Sequence, residues 1–258
     1  MRVLAVIPAR YASTRFPGKP LATLGGESII SHVYHRVRRT EGIEDVVVAT
    51  DDESICDHVE SFAEEGTVMM TSDQHRTGTD RCGEVVQRLE RQGYTYDLVI
   101  NVQGDEPFVD PAQLQTLIAC FNDPEVLIAT LATPVTSREE LFSPNNVKIA
   151  RAADGRALYF SRQPIPYRRD VDPDHWLDGA TYLKHVGIYA FRADLLPELC
   201  RLGTGTLEDC EKLEQLRWLE AGFNIHVALT DHANIGIDTP EDLAAAEQLL
   251  KKTKTKHK

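Results

Sequence analysis

The stretch that decides the fold is VLAVIPARYASTRFPGKP, residues 3–20. Residues 3–7 form a short, continuous apolar run, which is typical of a strand buried on both faces of a sheet. The segment that follows, residues 10–20, carries three cations, a glycine and two prolines. This stretch predicts a buried strand that leads into a stiff, positively charged loop.

Outward from this strand, the first half of the chain alternates apolar runs with helical patterns. Apolar residues recur at helical spacing over residues 29–37, and Ser28, a residue type that caps helices, precedes them. A second helix is predicted from Pro111, which suits the first turn, to Phe121. Strands that alternate with helices of this length predict right-handed βαβ units on a mostly parallel sheet. The other strands are predicted at residues 45–50, 67–70 and 97–102, and the other helices at residues 54–62 and 81–92.

The second half of the chain has strand patterns with little helix between them. The runs at 127–133, 147–160 and 183–191 are strand-like, and AADG at 152–155 is a hairpin signal. The sequence therefore predicts a Rossmann-like α/β fold with a mixed, mostly parallel sheet and an antiparallel excursion over residues 130–190. Helical patterns follow at 207–221 and 240–251. We expect one domain over residues 1–250, followed by a polar, lysine-rich, solubilising tail at 251–258.

Charge and cysteine usage narrow the class of protein. The chain has 258 residues and a net charge of −12, which opposes general binding to nucleic acid or to an anionic membrane. No run reaches 18 apolar residues and the N-terminus is too short for a signal peptide, so we expect no membrane insertion. The five cysteines lack metal-site spacing and are expected to be reduced thiols of a cytoplasmic protein.

The loop after the first strand has the composition of a polyphosphate site. In open α/β sheets ligands bind beyond the carboxyl ends of strands. Arg10, Arg15 and Lys19 supply donors for anionic oxygens and Ser13 adds a hydroxyl, while Gly18 lets the backbone approach a ligand closely. The loop matches neither GxxxxGK[ST] nor GxGxxG, so neither a P-loop ATPase nor a Rossmann dehydrogenase is indicated. A solvated basic loop is the alternative.

A second feature is NVQGDEP, residues 101–107, in which a predicted strand ends at Asp105. This places a carboxylate at the same edge of the sheet as the basic loop. Magnesium is typically held by one or two carboxylates together with substrate phosphates. We therefore expect Asp105 to be a magnesium ligand, with a plain Gly-Asp turn as the alternative.

Eight stretches in order resemble the motifs of the 3-deoxy-manno-octulosonate cytidylyltransferases, the CMP-Kdo synthetase family. They run from residue 7 to residue 243 and so cover nearly the whole chain. The stretches are IPARYASTRFPGKPL, ATDDE, HRTGTDR, NVQGDEPF, ALYFSRQPIPY, HVGIYAF, EKLEQLRWLEAG and IGIDTPEDL.

The resemblance implies a nucleotidyltransferase that moves CMP from CTP to the anomeric hydroxyl of 3-deoxy-D-manno-octulosonate (Kdo), releasing pyrophosphate for lipopolysaccharide biosynthesis. It also implies the nucleotide-diphospho-sugar transferase fold, a magnesium cofactor, a cytoplasmic homodimer, and CTP and a sugar acid as substrates.

The resemblance also implies a set of site residues, with Arg10, Lys19 and Asp105 as the catalytic ones. The CTP phosphates would be bound by Arg10, Ser13, Arg15 and Lys19, the cytosine and ribose by Gly78 and Arg81, magnesium by Asp105 and Asp238, and the sugar acid by Gln103, Arg162, His185, Tyr189, Glu214 and Gln215.

Without the resemblance, the later positions stay open. Arg162 could fork onto a sugar carboxylate or be a surface arginine, and His185 and Tyr189 could be core polar residues. Glu214 and Gln215 fit an exposed helix face equally well. Asp238 could instead cap the last helix, as could Thr239. Residues 168–181 show no pattern that predicts a structure.

Three other functions remain in view. A closely related enzyme would act on 8-amino-Kdo or sialic acid, which the basic loop and QGDEP do not distinguish from Kdo. A regulatory nucleotide-binding module or a structural α/β protein is disfavoured, because neither needs two metal carboxylates beside a basic loop.

Overall fold

The structure, a computed structural model, describes residues 1–12, 16–232 and 236–256, with side chains described through residue 250. Ser13 and Arg15, both predicted phosphate ligands, lie outside the described residues. Backbone contacts divide the chain into two compact units, and each is described by itself below. Unit 1 comprises residues 1–115 and 234–258, and unit 2 comprises residues 116–233. The single domain predicted for residues 1–250 stays a prediction.

The helices and strands of the described residues are, in chain order, β1 (Val3–Ala9), β2 (Thr23–Leu24), β3 (Glu27–Ser28), α1 (Ile29–Arg38), β4 (Asp45–Thr50), α2 (Glu53–Glu60), β5 (Val68–Met70), α3 (Gly78–Arg91), β6 (Leu98–Asn101), α4 (Pro111–Cys120), β7 (Ile128–Pro134), α5 (Arg138–Phe142), β8 (Lys148–Arg151), β9 (Ala157–Ser161), β10 (Leu183–Arg192), α6 (Leu196–Leu199), α7 (Thr206–Glu211), α8 (Gln215–Glu220), β11 (Ile225–Leu229) and α9 (Pro240–Lys256).

Unit 1 is built on a parallel sheet with the strand order β6-β1-β4-β5. The apolar run of β1 is fully buried, as its lack of alternation predicts. Helix α1 begins after Ser28, whose side chain accepts a hydrogen bond from the Ser31 amide, and it buries one apolar face. These elements confirm the predicted βαβ units and bring the carboxyl ends of β1, β4, β5 and β6 to one edge.

Gly104 allows a close approach at that edge. A Cβ atom on this residue would lie 2.6 Å from the carbonyl oxygen of Pro8, so the turn after β6 can lie against the end of β1 only without a side chain. The turn carrying Asp105 is therefore held next to the start of the basic loop.

Unit 2 contains the predicted antiparallel excursion. β10 pairs antiparallel with β7 and with β8, and β8 pairs antiparallel with β9, whereas β11 is parallel to β7. The turn between β8 and β9 includes Gly155 at φ +94°, a left-handed conformation that suits glycine. Buried aromatic side chains, including Phe160, Phe191 and Trp218, fill the interior of this unit.

Three predicted helix boundaries were wrong. Helix α3 starts at Gly78 rather than at residue 81, because Thr77 and Asp80 form a capping box. The pattern at 207–221 is two helices, α7 and α8, separated at Lys212, which has a left-handed φ of 53°. Helix α9 continues to Lys256, into the segment expected to be a tail.

Residues 168–181, which showed no sequence pattern, are organised by tertiary contacts. Nη1 of Arg168 donates to three backbone carbonyls, those of His175, Trp176 and Asp178. The Trp176 ring is buried and stacks on Tyr182, with ring centroids 6.2 Å apart. One side chain thus closes the loop over a small aromatic cluster.

No helix within the described ranges combines the length and the apolarity that crossing a membrane requires.

Candidate active site

A cavity of about 370 Å³ opens at the carboxyl edge of the unit 1 sheet. It lies where the loop after β1, the start of α3, the turn after β6 and the segment before α9 meet. This is the position that the topology of an open α/β sheet favours for a ligand. The cavity is lined by all the predicted unit 1 residues that the structure describes: Arg10, Lys19, Gly78, Arg81, Gln103, Asp105 and Asp238.

The centre of this site is the ammonium group of Lys19, which lies between two carboxylates. Its Nζ is 2.5 Å from Oδ2 of Asp105 and 3.1 Å from Oδ1 of Asp238. Lys19 opens a short 3₁₀ turn after Gly18, which has a left-handed φ of 68°, and its side chain is only 11% exposed. The amide of Ile237 donates a hydrogen bond to the carbonyl of Asp105, which holds the IGIDTPEDL stretch beside the NVQGDEPF stretch. Residues far apart in sequence thus converge on one cation.

The helix-capping residue of α9 is Thr239. Its Oγ1 accepts a hydrogen bond from the Asp242 amide, and the Asp242 carboxylate accepts from the amides of Thr239 and Asp238. This reciprocal arrangement is a capping box. The choice that the sequence left open is therefore decided in favour of Thr239 as the cap, with the Asp238 carboxylate directed to Lys19.

The donor set of this site fits a hard divalent cation. Asp105 and Asp238 supply carboxylate oxygens around a point that a positive charge already occupies. Within the described ranges, no three or more His, Cys, Asp or Glu side chains are grouped to hold a metal. Magnesium usually takes one or two carboxylates and completes its shell with water and substrate phosphate, so two carboxylates suffice.

Arg81 is a second cation of the cavity and is almost fully buried, at 1% exposure. Its guanidinium donates to Oγ1 of Thr71 over 2.6 Å and to Oδ2 of Asp51 over 2.5 Å. Asp51 lies within ATDDE, and the sequence alone assigned this residue no role. Its place directly after β4, at the same sheet edge, is the signal that would have identified it.

The predicted unit 2 residues form a separate set of buried polar groups. The His185 and Tyr189 rings lie 5.2 Å apart despite a register shift between them, and Nε2 of His185 is 3.0 Å from Oγ1 of Thr130. Burial lowers the pKa of His185 to about 3, so this imidazole is neutral at physiological pH. Burial, with the Glu214 carboxylate adding to it, raises the pKa of Tyr189 well above its usual value.

Two polar atoms of this set are buried without a partner. Oη of Tyr189 and Nε2 of Gln215 have no hydrogen-bond partner in the part of the chain that the structure describes. Gln215 is only 5% exposed, so the alternative of an exposed helix face is wrong for this residue. Because a buried polar group without a partner is costly, such atoms indicate a place where a polar ligand is bound.

Arg162 is half-buried, and backbone carbonyls hold its guanidinium. Its Nε donates to the carbonyl of Glu211 over 2.7 Å, Nη1 to Pro144 over 3.0 Å and Nη2 to Lys212 over 3.3 Å. These bonds use one hydrogen on each terminal nitrogen, and a guanidinium has two on each. Within the described ranges, one N–H on each terminal nitrogen meets no acceptor in these bonds.

Comparison with known proteins identifies the relatives of this chain. Residues 4–226 match the family described as Cytidylyltransferase. The 3-deoxy-manno-octulosonate cytidylyltransferase of Bacteroides thetaiotaomicron is 49% identical over 97% of this chain and 99% of its own length. That of Thermodesulfovibrio yellowstonii is 45% identical over 97% and 98%.

Solved structures give the same result for the fold. The structure of CMP:2-keto-3-deoxy-manno-octonic acid synthetase complexed with CTP superimposes with a TM-score of 0.88 and 40% identity, covering 98% of this chain and 100% of the other. A 4-diphosphocytidyl-2C-methyl-D-erythritol synthase is similar at a TM-score of 0.63 and 19% identity, covering 97% and 100%, and so shares the fold alone. The predicted fold class is confirmed.

Proposed function

The chain belongs to the cytidylyltransferase family, and from that premise we propose that it transfers CMP from CTP to the anomeric hydroxyl of Kdo and releases pyrophosphate. The relatives named above support the sugar acid, and the structure complexed with CTP supports the nucleotide. One observation in this molecule carries the proposal. The Lys19 ammonium is held by Asp105 and Asp238 inside a cavity at the carboxyl edge of the sheet, where α/β folds bind nucleotides.

The reaction is an in-line displacement at the α-phosphorus of CTP. The 2-hydroxyl oxygen of Kdo bonds to the α-phosphorus and its proton passes to solvent water. The bond from this phosphorus to the bridging oxygen of the β-phosphate breaks, and pyrophosphate leaves with the electron pair. Such transfers are catalysed mainly by positioning and by neutralising developing charge. Arg10 and Lys19, which line the cavity, supply positive charge for the leaving group, and Ser13 and Arg15 belong to the same loop.

Asp105 and Asp238 are the residues that would hold magnesium. When bound, the ion supplies charge neutralisation at the phosphates and lowers the pKa of a nearby hydroxyl. The carboxylates also keep Lys19 in place before substrate arrives. We assign no side-chain general base.

Arg81, Gly78 and Gln103 complete the unit 1 cavity. Arg81 is held rigidly by Asp51 and Thr71, so its position costs no ordering when the nucleotide binds. Gly78 lies at the first turn of α3 and lines the cavity, and a Cβ atom there would lie 2.9 Å from Nδ2 of Asn101, so a side chain at this position would displace the Asn101 amide. We assign the cytosine and ribose to Arg81 and Gly78, and the sugar side to Gln103.

In unit 2, the sugar acid is assigned to Arg162, His185, Tyr189, Glu214 and Gln215. The partnerless Oη of Tyr189 and Nε2 of Gln215 match the hydroxyl groups of a sugar. The two N–H groups that remain on Arg162 match a carboxylate, which takes paired donors from a guanidinium.

The decisive experiment measures pyrophosphate release with CTP or ATP and with Kdo, 8-amino-Kdo or sialic acid, in the presence and absence of magnesium. We expect turnover with CTP, Kdo and magnesium, and much less with ATP. Preference for 8-amino-Kdo or sialic acid would keep the reaction and change the acceptor. Release that is independent of any sugar acid, or equal with both nucleotides, would refute the proposal.

We further propose a cytoplasmic homodimer. The five cysteines are scattered through the sequence without metal-site spacing, which supports a reducing compartment. Sedimentation equilibrium of the full chain tests the dimer, and a monomeric mass at micromolar concentration would contradict it.

A further inference from the structure

Lys148 on β8 is a buried cation to which the proposed function gives no role. Lys148 is 0% exposed, and its ammonium group donates to three backbone carbonyls. Its Nζ lies 2.8 Å from the carbonyl oxygen of Ser143, 2.5 Å from that of Asn146 and 2.6 Å from that of Arg162. No carboxylate within the described ranges forms an ion pair with it. A buried charge is costly, and here it is retained with backbone partners alone.

The carbonyls that Lys148 binds belong to the surroundings of Arg162. Lys148 holds the segment 143–146 at both ends, and the guanidinium of Arg162 donates to Pro144 within that segment. Lys148 also binds the carbonyl of Arg162 itself. The two cations therefore clamp one short segment, and each depends on the position of the other.

The clamp extends to the end of α7 through Arg162. The Glu211 carboxylate accepts from the Arg162 amide at 2.9 Å and from the Ser161 hydroxyl at 2.6 Å. The guanidinium binds the carbonyls of Glu211 and Lys212, immediately before Glu214 and Gln215. Of the three carbonyls that orient the Arg162 fork, Pro144 lies within the segment that Lys148 holds, whereas Glu211 and Lys212 lie at the end of α7. Lys148 therefore acts on the fork through the Pro144 segment and through the Arg162 carbonyl.

We propose that Lys148 is a positioning residue for the sugar-acid half of the reaction, acting through Arg162 to aim its remaining donors at the substrate carboxylate. The inference rests on the proposed function and adds a residue to it. Lys148 touches no substrate, so its effect is selective: it concerns the sugar acid and leaves the nucleotide half in unit 1 unchanged.

The test compares Lys148→Met with the parent in full kinetics with CTP and Kdo. Methionine keeps the stem but removes the charge and all three donors. Because the variant loses hydrogen bonds from a charged group, we expect its KM for Kdo to rise about 10- to 100-fold. Its KM for CTP should stay within about twofold of the parent value. Arg192→Met is the matched control, because Arg192 also donates to backbone carbonyls in unit 2, those of Phe121 and Val126. It should leave both constants near parental values.

A double-mutant cycle tests the route. If Lys148 acts through Arg162, then adding Lys148→Met to Arg162→Met should raise KM for Kdo by no more than about threefold, although each single change is severe. Additive effects would overturn the proposed route. If the parent turns over CTP and Kdo and the Lys148→Met variant keeps the parental KM for Kdo, the role of Lys148 is overturned while the proposed function stands. Absence of turnover in the parent would overturn the proposed function and this inference together.

A measurement on the parent covers the case in which Lys148→Met does not fold. Burial and the positive charge of Arg162 lower the pKa of Lys148 to about 8, against the opposing effect of Glu211. Lys184 on β10 pairs in register with Lys148 and is itself ion-paired with Glu140. We expect KM for Kdo to rise several-fold between pH 7 and 9.5, with KM for CTP constant. A flat KM for Kdo over this range would contradict the inference.

Discussion

Replacing Asp238 by asparagine separates a metal ligand from a structural residue in one side chain. The helix cap belongs to Thr239 and Asp242, so the change leaves the start of α9 intact. What it removes is one of the two negative charges on Lys19 and the charged oxygen that a hard cation prefers. The site should therefore lose function without losing its fold.

The expected size of each effect follows from exposure. The Asp238 side chain is 49% exposed, and a pair of such exposure contributes about 0–1 kcal/mol to stability. For a chain of this size that is a melting shift of less than about 4 °C. We expect the rate at saturating substrates to fall about 10²-fold, about 2.7 kcal/mol in the barrier, and half-maximal rate to require at least about tenfold more magnesium.

The assay is a magnesium titration of the initial rate of pyrophosphate release, beside a metal-free melting curve. Thr239→Ala is the matched control, since losing the cap should cost about 0.5–2 kcal/mol of stability and leave the magnesium dependence unchanged. Asp105→Asn should resemble Asp238→Asn, and the double variant should be less than additive because both carboxylates serve one site. Parental rate and magnesium dependence in Asp238→Asn would refute the reasoning and leave Asp105 as the one defensible ligand.

Two further predictions concern the other titratable groups of the sites. Lys19→Ala should lower turnover about 10²-fold or more, because a donor aimed at developing charge is worth ~10²–10³ in rate. The melting shift should be small, because the carboxylate partners of Lys19 are partly exposed to solvent. Near-parental turnover would mean that Lys19 has a structural role only. His185 has a pKa of about 3 when folded against about 6.5 when unfolded, so the unfolded chain binds more protons between these values and stability falls as pH drops below 6.5. Urea titrations of parent and His185→Gln should show the parent losing about 1–2 kcal/mol more between pH 7 and pH 5, and parallel pH dependences would contradict this.

The elements that sequence predicted well are those with local physical signals. The unbroken apolar run of β1 and the Ser28 cap of α1 depend on neighbouring residues, and both are found where expected. The hairpin at 152–155 is also local, since its glycine takes the left-handed conformation that the turn needs. The approach of Lys19 and Asp105 followed from topology, because strand ends of a parallel sheet share one edge, whereas Asp238 was expected there only from the family resemblance.

The features that were missed depend on contacts between distant segments. The break at Lys212 interrupts a continuous helical pattern, and the carbonyls at that break are bound by Arg162, some fifty positions earlier. Asp51, in the turn after β4, gained a role only through Arg81, which lies on α3. Residues 168–181 contain only one short 3₁₀ turn at Pro173–His175, and the Arg168 side chain bonds three carbonyls of the segment, a tertiary contact that leaves no periodicity in the sequence.

Buried cations explain how a chain with a net charge of −12 can take anionic substrates. Lys19 and Arg81 are buried and line the cavity, so a substrate meets their charges in surroundings that screen them less than bulk water does. The surface charge acts across solvent, where salt at physiological strength screens it beyond about 8 Å. Repulsion at long range is therefore weak, whereas attraction at contact range is strong and directed. Lys19 is already held by two carboxylates and Arg81 by Asp51, so these cations are positioned before a substrate arrives. The acidic surface disfavours nonspecific binding of larger polyanions and does not oppose catalysis.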